Sequence, residues 1–426
     1  MSRILIISKW LPYPLSDGGK QAIFNSVKAL STVHEVHLTY FEPHNVECSE
    51  QSISEFKKLC NNLCIHKYKE QLNIVESTKN IIHRLWRRLL IKFKCQDKLE
   101  DLIHEETSLH IFPNEYLEYV NLLIEDHKIE IVQVEMLANI SVVLGLPKYV
   151  KKIFVHHELG FIRNELIFSS KKLNQVQQDK VKLYKILEIA LLNCYDAIVT
   201  LSEIDKKKLM VEGVSRPIYT SFAIVTNKSA ACNSNNNIQL LSFVGPESHK
   251  PNKDGLIWFL NTCWKELLLS FPSMQLQIIG RWTPKVQKEF LDKYDNIIFR
   301  GFVEDLTVAL QDSIMIVPIL VGSGIRMKIL ESSQIGVPFI TTSVGVEGLP
   351  FQDAKECFIA DTSADFVNKI QLLSRDASLR NLLVLNAKKV VEKSFSFDAL
   401  MKNRLNIIDS ISSESFDKGA GCVHVK

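Results

Sequence analysis

Short runs of apolar, largely β-branched residues alternate with longer amphipathic segments through the first half of the chain. The runs have the length of buried strands, and the segments have the length of helices. The predicted strands are 3–8, 35–40, 129–135, 152–156 and 197–201. The predicted helices are 20–31, 115–127 and 173–194. This alternation is typical of an α/β domain built on a parallel, doubly wound sheet.

The same alternation resumes after a polar segment. Residues 231–237 are rich in turn formers and poor in apolar side chains, which predicts an interdomain linker. The strands predicted after it are 239–244, 276–279, 297–299, 314–318, 337–342 and 357–359. The helices predicted to close the fold are 378–392 and 398–410. Residues 411–426 are mostly small or polar and are expected to form a disordered tail.

Length and composition support two soluble domains. The chain has 426 residues, more than one ordinary hydrophobic core accommodates. A net charge of +3 gives no indication of a nucleic-acid partner. The apolar residues 4–7 predict a first strand rather than a signal peptide. No apolar run approaches the roughly 18 residues of a membrane-spanning helix. We therefore expect a cytoplasmic protein.

The cysteines do not suggest a metal centre. Nine of them are scattered along the chain without the spacing of metal ligands. Cys60 and Cys64 are the closest pair, four positions apart on a predicted helix. Two free buried thiols are the favoured interpretation of this pair, with a metal or redox site as the weaker alternative. Free thiols are consistent with a reducing compartment.

The most informative stretch is 313–349, in which a strand, a glycine turn, a helix and a second strand follow one another. Gly322, Ser323 and Gly324 form the turn, which permits close approach of backbone to a ligand. The helix is predicted to begin near Ile325 and to stop before Gly336.

Exposed backbone N–H groups at such a helix start form an anion site. Arg326 and Lys328 add positive charge there, and the Arg fork suits a diphosphate. Glu331 on the same helix can accept hydrogen bonds from sugar hydroxyls. Phosphate and hydroxyl recognition together suggest a nucleotide-sugar.

These residues resemble the donor-binding motif of retaining glycosyltransferases with the GT-B fold, specifically those of glycosyltransferase group 1, also described as family 4-like. The matching residues are Gly322, Ser323, Gly324, Arg326, Lys328, Glu331 and Gly336. The loop 301–306 resembles the nucleobase loop of that family, which places Phe302 and Val303 beside the donor. Gly18 and Gly19 resemble the N-terminal glycine loop that lies under the donor diphosphate. Glu331 would bind the ribose.

The resemblance implies the GT-B fold, with two Rossmann-like αβα domains and an interdomain cleft. We expect an N-terminal acceptor-side domain at 1–230 and a nucleotide-sugar-binding domain at 238–395. The helix 396–410 would pack back on the N-terminal domain. The implied reaction transfers a sugar, with retention, from a nucleotide-sugar to a glycan or lipid-linked glycan. The resemblance further implies a role in surface polysaccharide synthesis.

Candidate catalytic and sugar-binding residues also follow the predicted strands of the first domain. His157 comes after the strand 152–156 and aligns with a family histidine that contacts the donor sugar. His156, one position earlier, is a further candidate for contact with the sugar or the acceptor, as is Glu135. His157, Arg326 and Glu331 are therefore the predicted catalytic residues. Glu135 ends its own strand, where either a cleft position or a solvated surface position is expected.

Two departures from the family pattern leave alternatives open. Ser323 replaces a glutamate found in many members, and Pro246 stands where many have an arginine. Diphosphate binding would then fall to Arg326 and Lys328, with Lys250 or Lys253 assisting. No metal is required, because these groups would neutralise the leaving diphosphate. The rival interpretations are a sugar-nucleotide epimerase of the same fold and a non-catalytic nucleotide- or glycan-binding homologue.

The segment 81–94 interrupts the first domain with a basic amphipathic pattern. Its apolar residues, including Trp86, fall on one helical face, and its arginines lie mostly elsewhere. One interpretation is an interfacial helix that brings the enzyme to the inner face of the membrane and to lipid-linked acceptors. The other is a core-packed helix with a solvated basic face.

Overall fold

Two parallel β-sheets, each flanked by helices, make up the protein. The computed structural model describes residues 1–15, 18–42, 50–69, 112–168, 174–221, 237–303, 305–322 and 325–413. The first sheet has the strand order β3-β2-β1-β4-β5-β6-β7 and the second has the order β10-β9-β8-β11-β12-β13. This confirms the predicted α/β fold of two Rossmann-like domains.

The strands of the first sheet are β1 Arg3–Ser8, β2 Glu35–Glu42, β3 Leu63–Lys69, β4 Ile131–Glu135, β5 Lys151–His156, β6 Ala197–Thr200 and β7 Ile218–Thr220. Its helices are α1 Gly18–Leu30, α2 Glu50–Leu59, α3 Asn114–Asp126, α4 Gly160–Phe168, α5 Gln175–Leu192 and α6 Glu203–Val211, with a 3-10 helix at Leu137–Gly145. The central strands are buried on both faces, as expected for a parallel sheet covered by helices.

The strands of the second sheet are β8 Leu240–Val244, β9 Gln275–Ile279, β10 Ile297–Gly301, β11 Ile314–Val317, β12 Phe339–Thr341 and β13 Phe358–Ile359. The helices that follow β8 are α7 Lys250–Thr262, α8 Trp264–Ser270, α9 Pro284–Lys293, α10 Leu306–Ala309, α11 Met327–Ile335, α12 Ser363–Arg375, α13 Ala377–Ser394 and α14 Phe397–Ser413. Gly336 ends α11 in the left-handed conformation, at φ 91°, as its position in the sequence predicts.

The last helix, α14, packs on the first domain. Ile407, Ile408 and Ile411 lie in the same apolar core as Ile23 and Val27 of α1. The helix continues to Ser413, so the first residues of the expected tail, 411–413, are helical instead. The apolar side chain of Ile411 explains this extension, because it is buried against the first domain.

Other boundaries differ from the sequence-based prediction. The strands β3 and β7 were not expected, and α1 already begins at Gly18. Cys64 lies exposed on β3 rather than buried on a helix, whereas Cys60 is buried just after α2. The segment 81–94, most of the linker and residues 323–324 fall outside the described residues. Within the described ranges, no helix has the length and apolar character needed to cross a membrane.

Both sheets have a topological switch point, where the strand order reverses direction. In the first sheet it lies between β1 and β4, and in the second it lies between β8 and β11. In open α/β sheets, ligands bind outside the carboxyl ends of the strands at such a point. The predicted donor turn follows β11, and Glu135 ends β4, so candidate residues border both switch points.

Close packing of α7 on the end of β11 fixes one side of the second switch point. A Cβ atom added at Gly255 of α7 would lie 2.1 Å from the carbonyl oxygen of Pro318. The backbone at Pro318 cannot shift to avoid such an atom as the end of a flexible side chain could. The helix therefore approaches the strand end only because residue 255 lacks a side chain.

We expect Gly255→Ala to lower the free energy of unfolding of the second domain by about 2 kcal/mol, because overpacking outweighs the gain in helix propensity. Urea denaturation followed by tryptophan fluorescence measures this, since Trp258, Trp264 and Trp282 all lie in this domain. The matched control is Asp254→Ala, which changes the exposed neighbouring residue of the same helix. Equal midpoints for the two variants would contradict the packing argument.

Candidate functional site

The amino ends of three helices converge between the two domains. A Cβ atom added at Gly18, the first residue of α1, would lie 2.9 Å from Cγ of Met327, the first residue of α11. A Cβ atom at Gly322 would lie 3.8 Å from Pro251 in the first turn of α7. Ile325 packs against the apolar cores of both domains. Three helix dipoles therefore point their positive ends into one region.

A cluster of basic groups occupies this region. Lys328 Nζ donates hydrogen bonds to the backbone oxygen of Val244 and to Oδ1 of Asn252, the latter at 2.8 Å. Burial, together with the positive charge of Arg326, lowers the pKa of Lys328 to about 7. The pKa of His249, which precedes α7, is lowered by desolvation and by the charges of Lys328 and Arg326. His249, Arg326 and Lys328, the basic cluster, thus repel one another across a short range.

Arg326 lies at the junction of the domains. Its side chain is buried beside Gly322, where an added Cβ atom would lie 2.7 Å from Nη2. Burial lowers the pKa of Arg326, and the charges of Glu158, Glu347 and Asp205 oppose that shift. Glu158 and Asp205 belong to the first domain. The guanidinium therefore interacts with both halves of the molecule.

A hydrogen bond and an ion pair also join the two domains at this junction. Gln21 of α1 donates a hydrogen bond to Oε1 of Glu331 on α11, at 3.1 Å. Lys208 of α6 forms an ion pair with Glu347 of the second domain, at 3.3 Å. Glu331 thus faces the first domain, as a ribose-binding residue of a shared cleft would.

Glu135 and His157 form a pair at the carboxyl ends of β4 and β5. Oε2 of Glu135 lies 2.6 Å from Nε2 of His157, and Oε1 accepts a hydrogen bond from Gln133, at 2.6 Å. The side chain of Glu135 is 1% exposed, so the surface position considered from sequence is wrong. The side chain of His157 remains 11% exposed.

The charge of buried Glu135 is opposed by an arginine from the end of the chain. Arg404 of α14 is buried, which lowers its pKa, and the negative charge of Glu135 opposes this shift. A buried carboxylate is costly without such a counter-charge. The C-terminal helix therefore stabilises the pair of Glu135 and His157.

His156 lies in a different environment from His157. Its ring has no exposed surface, and its Nε2 lies 2.8 Å from Oε1 of Glu188 on α5. Glu188 also accepts hydrogen bonds from the backbone N–H groups of Gly160 and Phe161, at the start of α4. His156 and Glu188 therefore hold α4 and α5 to the sheet. The expected sugar contact does not fit this position, because a sugar cannot reach the ring.

The predicted nucleobase loop is accessible. Phe302 is 53% exposed, and the guanidinium of Arg281 lies 5.5 Å from the centre of its ring. Val303 is partly buried against the core of the second domain. An exposed aromatic ring beside a guanidinium offers a flat surface on which a nucleobase can stack.

The structure places further residues beside the predicted site that sequence reasoning missed, and it gives some predicted residues other partners. Gln21, Asn252, Glu158 and Arg404 touch or face the predicted site residues, although each is an ordinary polar residue in the sequence. Lys253, expected to assist with phosphate, pairs instead with Glu247 at 3.0 Å. Lys250 and Gly19 lie in the first turns of α7 and α1. Ser323 and Gly324 lie outside the described residues.

The sequence comparisons agree with this geometry. Residues 239–376 match the model of the glycosyl transferases group 1 family. A curated relative is an uncharacterized 44.6 kDa protein in the cps region of Klebsiella pneumoniae, 24% identical over 416 residues. That alignment covers 93% of this chain and 97% of the relative.

Solved structures share the fold. A variant of S. aureus TarM, in complex with fondaparinux, alpha-GlcNAc-glycerol and UDP, has a TM-score of 0.67 and 12% identity, and the match covers 96% of this chain and 100% of that one. Anabaena HepE in complex with UDP-glucose has a TM-score of 0.66 and 11% identity, with 96% and 100% covered. These likenesses show that the chain shares the two-domain GT-B fold.

The lowered pKa of Lys328 has a measurable consequence for stability. Its ordinary value is 10.5 and its folded value is about 7, so between these pH values the unfolded chain binds a proton that the folded chain has released. Stability contributed by this group therefore rises with pH across that window. We expect wild type to gain thermal stability relative to Lys328→Met as pH increases from 7 to 9. Differential scanning fluorimetry at several pH values tests this, and a pH-independent difference would contradict it.

Proposed function

We propose that this protein is a retaining glycosyltransferase that moves a sugar from a nucleotide-sugar to a hydroxyl group of a glycan or lipid-linked glycan. The observation that carries the proposal is the basic cluster of His249, Arg326 and Lys328 at the converging helix ends. Partly buried positive groups that lie close together repel one another, which destabilises the unliganded protein. An anionic ligand bound between them removes this destabilisation. A nucleoside diphosphate has the charge for this place.

The remaining donor contacts follow from the same placement. Glu331 sits one helical turn beyond Lys328 on α11 and accepts a hydrogen bond from Gln21. A ribose hydroxyl would join or replace that donor. Phe302 and Arg281 lie at the carboxyl end of the sheet, where they would stack on the base. The family match of residues 239–376 supports this assignment of the second domain to the donor.

Glu135 and His157 are proposed to act on the sugar. A carboxylate accepts and does not donate, so Glu135 keeps the proton of the shared hydrogen bond on Nε2 of His157. Nδ1 is then the nitrogen that accepts a hydrogen bond from a sugar hydroxyl. The buried hydrogen bonds of Glu135 hold the ring in one orientation. This preorganisation would make the contact effective during transfer.

In the proposed reaction, the bond between the anomeric carbon and the diphosphate oxygen breaks, and the acceptor oxygen attacks from the same face. The acceptor proton passes to the departing phosphate oxygen. Arg326, Lys328 and the helix amino ends stabilise the negative charge that develops on the diphosphate. We propose that the step needs no metal, since these groups would supply the positive charge that a cation would otherwise provide. Contacts such as Gln21 to Glu331 would tighten as the domains close on the donor.

The setting of similar proteins supports a role in surface polysaccharide synthesis. The K. pneumoniae relative is named for the cps region, and TarM was crystallised with UDP and a sugar-glycerol compound. HepE was crystallised with UDP-glucose. We propose a UDP-sugar as the donor class on this basis, and an acceptor presented at the inner face of the membrane.

We expect Arg326→Ala to weaken binding of UDP by at least about tenfold, because a charge-assisted hydrogen bond contributes on the order of 1.5–3 kcal/mol. Isothermal titration calorimetry with UDP measures the change. Arg375→Ala is the matched control, since that guanidinium stacks on Phe271 before β9, at the opposite end of the sheet. Unchanged binding by Arg326→Ala would remove this residue from the site. UDP binding without release of UDP from any UDP-sugar tested would favour a binding protein over an enzyme.

We expect His157→Gln to lower kcat by about tenfold or more while UDP affinity changes by less than about threefold, because the ring is assigned to the sugar and not to the diphosphate. Steady-state assays of UDP release measure kcat and KM, and NMR of the product gives its anomeric configuration. His34→Gln is the control, a histidine of the same domain that contacts the backbone of Ser2 away from the cleft. Full activity of His157→Gln would exclude the proposed contact, and an inverted product would exclude retention.

A further inference from the structure

Three histidines meet on the first domain at a distance from the cleft. His37 lies on β2, His66 lies on β3, and His127 follows α3. One ring nitrogen from each lies within 4.8 Å of those of the other two. His37 and His127 stand at the amino ends of β2 and β4, whereas the cleft lies at the carboxyl ends. The proposed sugar transfer uses none of these side chains.

We propose that His37, His66 and His127, the histidine cluster, form a binding site for one divalent transition-metal ion of the Zn²⁺ type. Imidazole nitrogen is a preferred ligand of Zn²⁺, Ni²⁺ and Cu²⁺, and three histidines with one open position are a known zinc arrangement. Nδ1 of His37 and Nε2 of His66 are 3.0 Å apart. Two ligand nitrogens on a tetrahedral zinc ion are separated by about 3.3 Å, from Zn–N bonds of about 2.05 Å. Only small side-chain shifts are therefore needed at this pair.

Glu35 orients His37 for such a site. Its Oε1 lies 3.1 Å from Nε2 of His37, on the far side of the ring from His66. The carboxylate accepts the proton on Nε2, which leaves the lone pair of Nδ1 directed at His66. Metal-binding histidines usually have their second nitrogen bonded to a carboxylate or carbonyl in this way. The metal would replace the proton that His66 and His37 now share.

Burial partly shields the histidine cluster from solvent. The side chain of His37 is 1% exposed, and the rings of His66 and His127 are partly buried. A metal ion at this place would therefore be held by side chains that the surrounding fold already positions.

A bound ion would join three separate parts of the chain. β3 is the edge strand of the first sheet, and its residues are partly exposed. The ion would tie β3 to β2 and to the end of α3, far apart in sequence. Its expected role is to stabilise this edge of the domain by binding the folded state alone.

The test uses tag-free protein stripped with EDTA and titrated with Zn²⁺ and with Co²⁺. We expect one ion per chain with a Kd below about 1 μM, visible absorption from tetrahedral Co²⁺, and a higher midpoint of thermal unfolding with Zn²⁺. His66→Gln and His127→Gln should weaken binding by at least about 100-fold, and Glu35→Gln by about 10- to 100-fold.

His424→Gln is the control and should bind Zn²⁺ as wild type does. The titrations are repeated with UDP, whose affinity should be equal in wild type and His66→Gln, so that failure here is separate from failure of the proposed transferase site. Circular dichroism confirms that each variant is folded. Absence of a stoichiometric ion in wild type, or wild-type metal affinity in folded His66→Gln and His127→Gln, would overturn the proposal.

Discussion

The burial of the Arg326 guanidinium at the junction of the two domains is the constraint on which the cleft depends. A buried positive charge needs compensation, and here Glu158 and Asp205 from one domain and Glu347 from the other supply it. The compensation is incomplete, because the charge of Arg326 still lowers the pKa of Lys328, and both charges lower the pKa of His249. The domains are thus drawn together around a region that still favours an anion. The buried positive charge at this junction therefore favours both the contact between the domains and the binding of an anionic substrate.

A second buried charge links the end of the chain to the sugar side of the cleft. Glu135 is covered on all sides, and the positive charge opposite it comes from Arg404 of α14. Ile407, Ile408 and Ile411 hold that helix in the core of the first domain. The orientation of His157 therefore depends on residues about 250 positions later in the chain, since Glu135 holds its ring. This explains in physical terms why the helix returns to a domain that the chain has already left.

Sequence reasoning found the elements whose signals are local and missed those set by distant contacts. The stop of α11 at Gly336 follows from the residue type at that one position. The strands β3 and β7 lie outside the central strands. Residues 63–68 of β3 are at most partly buried, and β7 has only three residues, so neither has a strong apolar pattern. The difference between His156 and His157 follows from strand alternation, because Phe154 and His156 share one buried face. Glu135 could not be placed, because its counter-charge Arg404 lies on another element.

The two ends of the first sheet show why topology matters more than spacing for such sites. Positions 37, 66 and 127 are separated by 29 and 61 residues, and no motif relates them. The pairing of β2 with β3 places Thr39 beside His66 and so brings His66 to the face that carries His37. The turn after α3 then brings His127 against both rings, with centres 4.3 and 5.0 Å away. A parallel sheet gathers the starts of its strands at one edge and their ends at the other. The parallel topology that assembles a cleft at the carboxyl edge of the sheet therefore also brings the three histidines together at the amino edge. That edge takes no part in the proposed sugar transfer.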